Sequence, residues 1–294
     1  VRTGHTVPVG LVIASLGDLV EDIAVRLVEP VNVASDTTAV IRRRRGGSAA
    51  NMAVAVARLR RPARFIGQVG DDPVGDMLVA ELRRAGVEPV VGRGGRSGTI
   101  VVLVDQHGER TMLTDRGCCA DLADPDPRWL DDVAALHVPA YSLVGGPLAA
   151  TSAALVAWAH ERHALVSVDL SSAALIDEVG QSALGALIGA LAPDLVLANE
   201  LEAERFGGPD RLVELGARVT VVKQGPAPAL VHVPGGGWTS VDACQVDEVH
   251  DTTGAGDAFA AGAVGALVDG LDPVTATSQG HRAAAAALAR LADS

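Results

Sequence analysis

Residues 251–262 read Asp-Thr-Thr-Gly-Ala-Gly-Asp-Ala-Phe-Ala-Ala-Gly. Gly254, Ala255 and Gly256 are small enough to bring backbone N–H groups against an anion, and the apolar run over 258–268 predicts a helix starting there. Together they make an anion hole at a helix N-terminus. Asp257 lies in the first helical turn, where the macrodipole favours a carboxylate and where phosphate charge would also collect. Phosphoryl transfer to an alcohol needs a base for the hydroxyl proton, donors for the transferring group, and positioning of both substrates. Asp257 is the candidate for the first and the amides of 254–256 for the second. A carboxylate is a weak base, but in a loose transition state the proton leaves late, so modest basicity suffices.

Other glycine signatures fit poorly. A dinucleotide fingerprint follows the first strand of a βαβ unit with G-x-G-x-x-G spacing, whereas this motif lies near the C-terminus and lacks the third glycine. No G-x-x-x-x-G-K-[ST] loop exists, and the single lysine, Lys223, stands outside any such loop. A second glycine-led helix start, Gly46-Gly47-Ser48-Ala49-Ala50-Asn51, lets the backbone approach a ligand and places an amide, Asn51, that both donates and accepts.

Several elements must position these groups. The apolar run over 9–16 predicts a strand buried on both faces, with Asp18 and Asp22 just past its C-terminal end, where ligands of open α/β sheets bind. For both acids a solvated or capping loop carboxylate is the competing reading. Residues 25–45 alternate in short pieces with little apolar content, and 99–114 carry a hairpin signal; together they predict two exposed strand sets, near 25–45 and 97–116, outside the main sheet, with the run Arg42 to Arg45 reading as a solvated face rather than a phosphate clamp, and Arg110 and Arg116 as solvated arginines. Asp71 and Asp72 before Pro73 read as caps. From 136 onward strands and helices alternate, with one long helix over 173–191, and the pattern predicts an α/β, doubly wound, mostly parallel sheet with an antiparallel edge. Asn199 and Glu202 follow one strand end, and Lys223 and Gly225 another. The alanine-rich last helix, expected over 279–291, reads as core, with His281 near a ligand.

Composition narrows the partners. The 294 residues carry a net charge of -12, which argues against a nucleic-acid groove or an anionic membrane as main partner. Three cysteines without metal spacing, no cleavage site after the first apolar run, and no uninterrupted apolar segment of spanning length point to a reducing, cytoplasmic setting.

The residues at 17–22, 46–51, 70–75, 199–202 and above all 251–262 resemble the PfkB/ribokinase family of carbohydrate kinases, and the likeness covers nearly the whole chain. The resemblance implies a single ribokinase-like kinase domain over 1–294, with the strand sets near 25–45 and 97–116 as a lid that closes over a sugar and pairs two subunits. It implies ATP and Mg²⁺ as cofactors and a small sugar or sugar derivative as substrate. Asp257 matches the family's catalytic base, and Gly254, Ala255 and Gly256 its anion hole. Asp22, Gly47 and Asn51, with Gly46 beside them, match the sugar contacts. Asn199 and Glu202 match residues near the Mg-nucleotide phosphates, Lys223 to Gly225 begins the nucleotide loop, and His281 is expected on the nucleotide side. Asp251 and Thr253 match the K⁺ site of some members. Where the nucleotide loop usually carries a second glycine, this chain has Pro228. A nucleoside kinase and a non-catalytic sugar- or nucleotide-binding relative are the competing functions. Stacking a base favours aromatics, and the chain has three Phe, three Trp and one Tyr.

Overall fold

The computed structural model describes residues 11–105, 110–246, 249 and 252–292. Its strands are β1 (Val12–Leu16), β2 (Val20–Leu27), β3 (Ala39–Gly46), β4 (Ala63–Val69), β5 (Val87–Arg93), β6 (Gly98–Val104), β7 (Arg110–Asp115), β8 (Val133–Pro139), β9 (Leu165–Asp169), β10 (Leu195–Asn199), β11 (Val219–Gln224), β12 (Ala227–His232) and β13 (Trp238–Val241). The α-helices are α1 (Ser48–Arg58), α2 (Pro73–Arg84), α3 (Gly146–Glu161), α4 (Ala173–Val179), α5 (Gln181–Ala190), α6 (Glu200–Arg205), α7 (Pro209–Val213), α8 (Ala255–Val268) and α9 (Pro273–Ala292).

The large sheet has the order β13-β12-β11-β10-β9-β8-β1-β4-β5. Strands from β11 to β5 pair in parallel, and β12 and β13 add an antiparallel edge. β1, β8, β9 and β10 are nearly continuous apolar runs because helices cover both faces. One core layer packs α3 to α7 against the sheet, the other α1, α2 and α8. From β1 the chain winds to β4 and β5, then returns to β8 and winds the other way, so β1 and β8 flank the topological switch point. A crevice at their carboxyl ends is the expected binding place of such a sheet.

A second sheet of order β3-β2-β6-β7 comes from the two alternating stretches. It begins at Val20, ahead of the exposed stretch read from 25, because Val20 to Asp22 are buried where this sheet leaves the body. Asp22 therefore stands on a strand, paired with Arg44 and Ile100.

Other local expectations shift. The helix over 173–191 is two helices, since Gly180 at φ 86° ends α4 and opens α5. The last helix starts earlier, at Pro273, and β5 carries no clear alternation in the sequence. Asp72 does cap α2, accepting from Gly75 N at 2.7 Å, and it also receives the Ser97 backbone and side chain.

Candidate active site

The first glycine-led turn is shaped by close approach. Gly47 adopts φ 96° at the N-terminus of α1, and a Cβ there would lie 2.2 Å from Asp18 O. A Cβ on Gly46 would lie 2.1 Å from Asp22 Oδ1, so the missing side chain leaves room for that carboxylate. α1 then presents Ser48 and Asn51 on its first turn. Ser48 Oγ donates to Asp257 Oδ1 at 2.6 Å, and Asn51 Oδ1 accepts from Arg45 Nη1 at 2.8 Å.

The second glycine motif comes from the far end of the chain and meets the first. Gly254 takes a left-handed turn, φ 77°, and opens α8. The Ala255 N–H turns back to Thr252 O at 3.1 Å, which leaves Gly256, next along the turn, among the helix-start donors without an intrahelical acceptor. Both Gly254 and Gly256 line a cavity of about 490 Å³ at the carboxyl edge of the sheet.

The cavity joins the elements named from the sequence. Asp22, Gly47, Asn51, Asn199, Glu202, Lys223, Thr253, Gly254, Gly256 and Asp257 all line it. The second sheet supplies one wall, with Ile100, Val102, Met112 and Thr114 on the face that carries Asp22 and Arg44. Gly46 is not part of this wall but lies against the Asp22 carboxylate. Gly225, at φ 60° in the exposed turn between β11 and β12, lies outside this wall, as does Pro228. His281 also lies away from it: the ring is buried edge-on against Phe259, with centroids 5.2 Å apart, and burial lowers its affinity for a proton. Asp251 lies outside the described residues.

Two parallel strands and the starts of α6 and α8 bring four ionisable groups together at the cavity floor. Lys223 Nζ donates to Asp169 Oδ2 at 2.5 Å, with both side chains nearly buried. Burial works against the ammonium, but Asp169, Glu202 and Asp257 outweigh it and hold Lys223 above its ordinary value. Glu202 closes a capping box with Asn199, three contacts at 2.8 Å. Burial and then the Asp169 charge push it up to about 7. Asp257 is raised to about 6, chiefly by desolvation and then by Asp169, against the opposing pull of Ser48, Asn51 and Lys223. A buried His137, bonded through Nδ1 to Ser167 Oγ at 3.1 Å, is pushed down to about 4 by desolvation and stays neutral beneath the floor.

Sequence reasoning passed over Asp169, Ser48, Tyr141 and the pair Asp18–Arg116. Asp169 ends a buried strand, the same signal that singled out Asp18, and Ser48 lies inside the Gly-Gly-Ser-Ala-Ala-Asn run. Arg116 is no solvated arginine: it clasps Asp18 through Nε at 2.8 Å and Nη2 at 2.7 Å and lies over the Tyr141 ring, 5.7 Å from its centroid. Nothing in the local sequence pairs residues 98 apart. The arginine run divides as well, since Arg44 and Arg45 turn inward while Arg42 and Arg43 stay exposed.

The arrangement brings a raised carboxylate together with polar groups of both glycine-led turns and an ammonium around one cavity. That is the layout of phosphoryl transfer to an alcohol. Among the described residues no three acids or histidines converge as a metal cage, and no helix is long and apolar enough to cross a membrane. Mg²⁺ is usually held through phosphates, water and one or two carboxylates, and Asp169 and Glu202 both line the cavity.

Comparison with known proteins gives a consistent picture. A family model described as pfkB family carbohydrate kinase matches residues 9–293. An ATP-dependent ribose-1-phosphate kinase of Halopiger xanaduensis is 35% identical over 246 residues, 80% of this chain and 79% of the relative. A Klebsiella pneumoniae fructokinase is 34% identical over 236 residues, 76% of each chain. Among solved structures, adenosine kinase from Sinorhizobium meliloti has a TM-score of 0.82 at 23% identity, covering 95% of this chain and 94% of that one. A ribokinase II structure from E. coli, in complex with ATP and Mg²⁺, has a TM-score of 0.79 at 21% identity, covering 94% and 92%. The family match and the level of identity, together with a cavity built from both glycine motifs, establish that this chain belongs to the pfkB family of carbohydrate kinases.

Proposed function

We propose that the protein transfers the γ-phosphoryl group of ATP to a hydroxyl of a small sugar or sugar derivative, with Asp257 as general base. The observation that carries this is the meeting of Asp257, Asn51 and Lys223 on one cavity floor at the start of α8. Asp22, Asn51 and the Gly47 backbone hold the acceptor's hydroxyls. Lys223 and the Gly256 N–H face the phosphates, and Asn199, Glu202 and Asp169 are the groups that would hold Mg²⁺, whose contribution is to neutralise phosphate charge. As the acceptor oxygen bonds to the γ-phosphorus, the bond from that phosphorus to the bridging oxygen breaks, ADP leaves, and the hydroxyl proton passes to Asp257. A carboxyl raised to about 6 is ionised at neutral pH and is a better base than an ordinary one.

The acceptor is a sugar in preference to a nucleoside. Among the described residues lining the cavity the aromatic side chain is Tyr141, and Arg116 lies over one face of its ring, which takes that face from a stacking base. The four-stranded sheet serves as the lid, and its outer face pairs two copies of the chain. The relatives named above act by name on a phosphorylated sugar and on a neutral one, so both acceptor classes belong to this reading.

Asp257→Ala should lower kcat by about 10² to 10⁴ while ATP binding stays nearly intact. ADP release across sugars, sugar acids, sugar phosphates and nucleosides reads the first; ATP titration reads the second. Unchanged turnover in the variant overturns the base assignment.

A further inference from the structure

On the far side of Asn51, between α1, α2 and the last turns of α9, lies a second cavity of about 580 Å³. Among the described residues, its wall carries Arg44, Arg45, Arg58, Arg84 and Arg290 together with the acids Asp22 and Glu81. Arg44 pairs with Asp22, so among the described residues Arg45, Arg58, Arg84 and Arg290 face Glu81, a cationic concavity in a chain of net charge -12. Arg45 donates to Asn51 Oδ1 and, like Arg58, Arg84 and Arg290, makes no ion pair among the described residues. Burial pulls Arg45 below its ordinary value and Arg58 adds to that pull, against Glu81; burial and then Arg290 do the same to Arg58. The group is thus a set of like charges held close together, a state that a bound anion relieves. Guanidinium forks match phosphate oxygens in geometry, and several forks suit a dianion better than a single carboxylate.

The position of this pocket identifies its occupant. Asp22, Arg44, Asn51, Thr253 and Gly254 line both cavities, so the arginine pocket and the acceptor site share a wall. An anion held there lies against the acceptor, on the side away from Lys223. We infer that the arginine pocket binds the phosphate of a phosphorylated sugar, so that the acceptor is a sugar phosphate held by Arg45, Arg58, Arg84 and Arg290 with its free hydroxyl at Asp257. This rests on the phosphotransfer reading and narrows its substrate class.

The test is calorimetric binding to the full chain without ATP, using ribose 1-phosphate, ribose 5-phosphate, fructose 1-phosphate, fructose 6-phosphate, their unphosphorylated parents and inorganic phosphate. At least one sugar phosphate should bind about tenfold or more tighter than its parent, and inorganic phosphate should compete with it. Arg58→Ala and Arg84→Ala, both at exposed positions on the rim, should each weaken the sugar phosphate by about tenfold while leaving the parent sugar's affinity and the Tm unchanged. Sugar phosphates that bind no tighter than their parents, or arginine variants without effect, overturn the assignment. Inorganic phosphate that binds without displacing the sugar phosphate assigns the pocket to a free anion and overturns it as well. Tight sugar-phosphate binding with no ADP formed on adding ATP supports the pocket and overturns the kinase reading; equal kcat/KM on sugar and sugar phosphate leaves the kinase and overturns the pocket.

Discussion

Asp257 owes its chemistry to a conflict. Its position at the start of α8 and the Ser48 hydroxyl favour the carboxylate, yet desolvation and the neighbouring Asp169 win and hold it near 6. For a general base this sets the acid limb of the rate: kcat/KM should fall tenfold per unit below about pH 6, and a limb left in place by Asp257→Asn would assign it to another group. The same shift has a consequence for stability. The carboxyl binds its proton more tightly folded, about 6, than at its ordinary 3.8, so stability falls as pH rises between those values and the deficit is complete above 6. Asp257→Asn should therefore raise Tm at pH 8 by about 2 °C or more and raise it less at pH 4, by differential scanning calorimetry. A variant less stable at pH 8 contradicts the desolvation account.

At the scale of elements, the site depends on two helix starts that need glycine for different reasons. Gly47 combines φ 96° with a Cβ position 2.2 Å from the Asp18 backbone, so Gly47→Ala meets both strain and an immovable atom. Gly254 has φ 77°, but its Cβ would meet nothing nearer than 4.0 Å. Gly47→Ala should cost about 3 kcal/mol or more and Gly254→Ala about 1 kcal/mol in urea unfolding. Equal losses would mean that backbone conformation alone sets the cost. Elsewhere, small residues let α8 and α9 approach: a Cβ on Gly262 would lie 2.5 Å from Gln279 O, and one on Gly280 would lie 3.0 Å from the Phe259 ring. This close packing explains why the last helix is rich in alanine and why His281, wedged at the contact, serves the core.

For the whole molecule, the register of the second sheet sorts its faces. Asp22, Ile100, Val102, Met112 and Thr114 look into the cavity, so Ile23, Val25, Ile41, Val101, Leu103 and Leu113 form the opposite face. That face carries an apolar patch beside Arg43, with Ile41 62% and Leu113 54% exposed. A lid with apolar residues on both sides suits closure on one side and subunit pairing on the other. Light scattering should give a dimer mass that Ile41→Glu reduces to the monomer; a monomeric wild type, or a mass unchanged by the substitution, removes the pairing proposal. The doubly wound order was legible because apolar runs alternate with helical stretches, and the strand-end acids were legible because parallel strands send their carboxyl ends to one edge. The inward turn of Arg44 and Arg45 was not, because a run of arginines on an alternating strand reads the same whether the strand faces water or a cavity.

By itself the sequence determined the chemistry on offer: a carboxylate behind a glycine-led helix start, a second glycine turn with Asn51, acids and a lysine at strand ends, and a family signature. Those are local patterns, and local backbone preferences are enough to specify them. Only the tertiary structure decided that Ser48 meets Asp257 across 209 residues, that Asp169 joins Lys223, that Arg116 clasps Asp18, and that a cavity lined by five arginines shares a wall with the cavity that holds Asp257. Such encounters depend on strand order and helix packing, which bring together residues whose sequence neighbourhoods carry no record of one another.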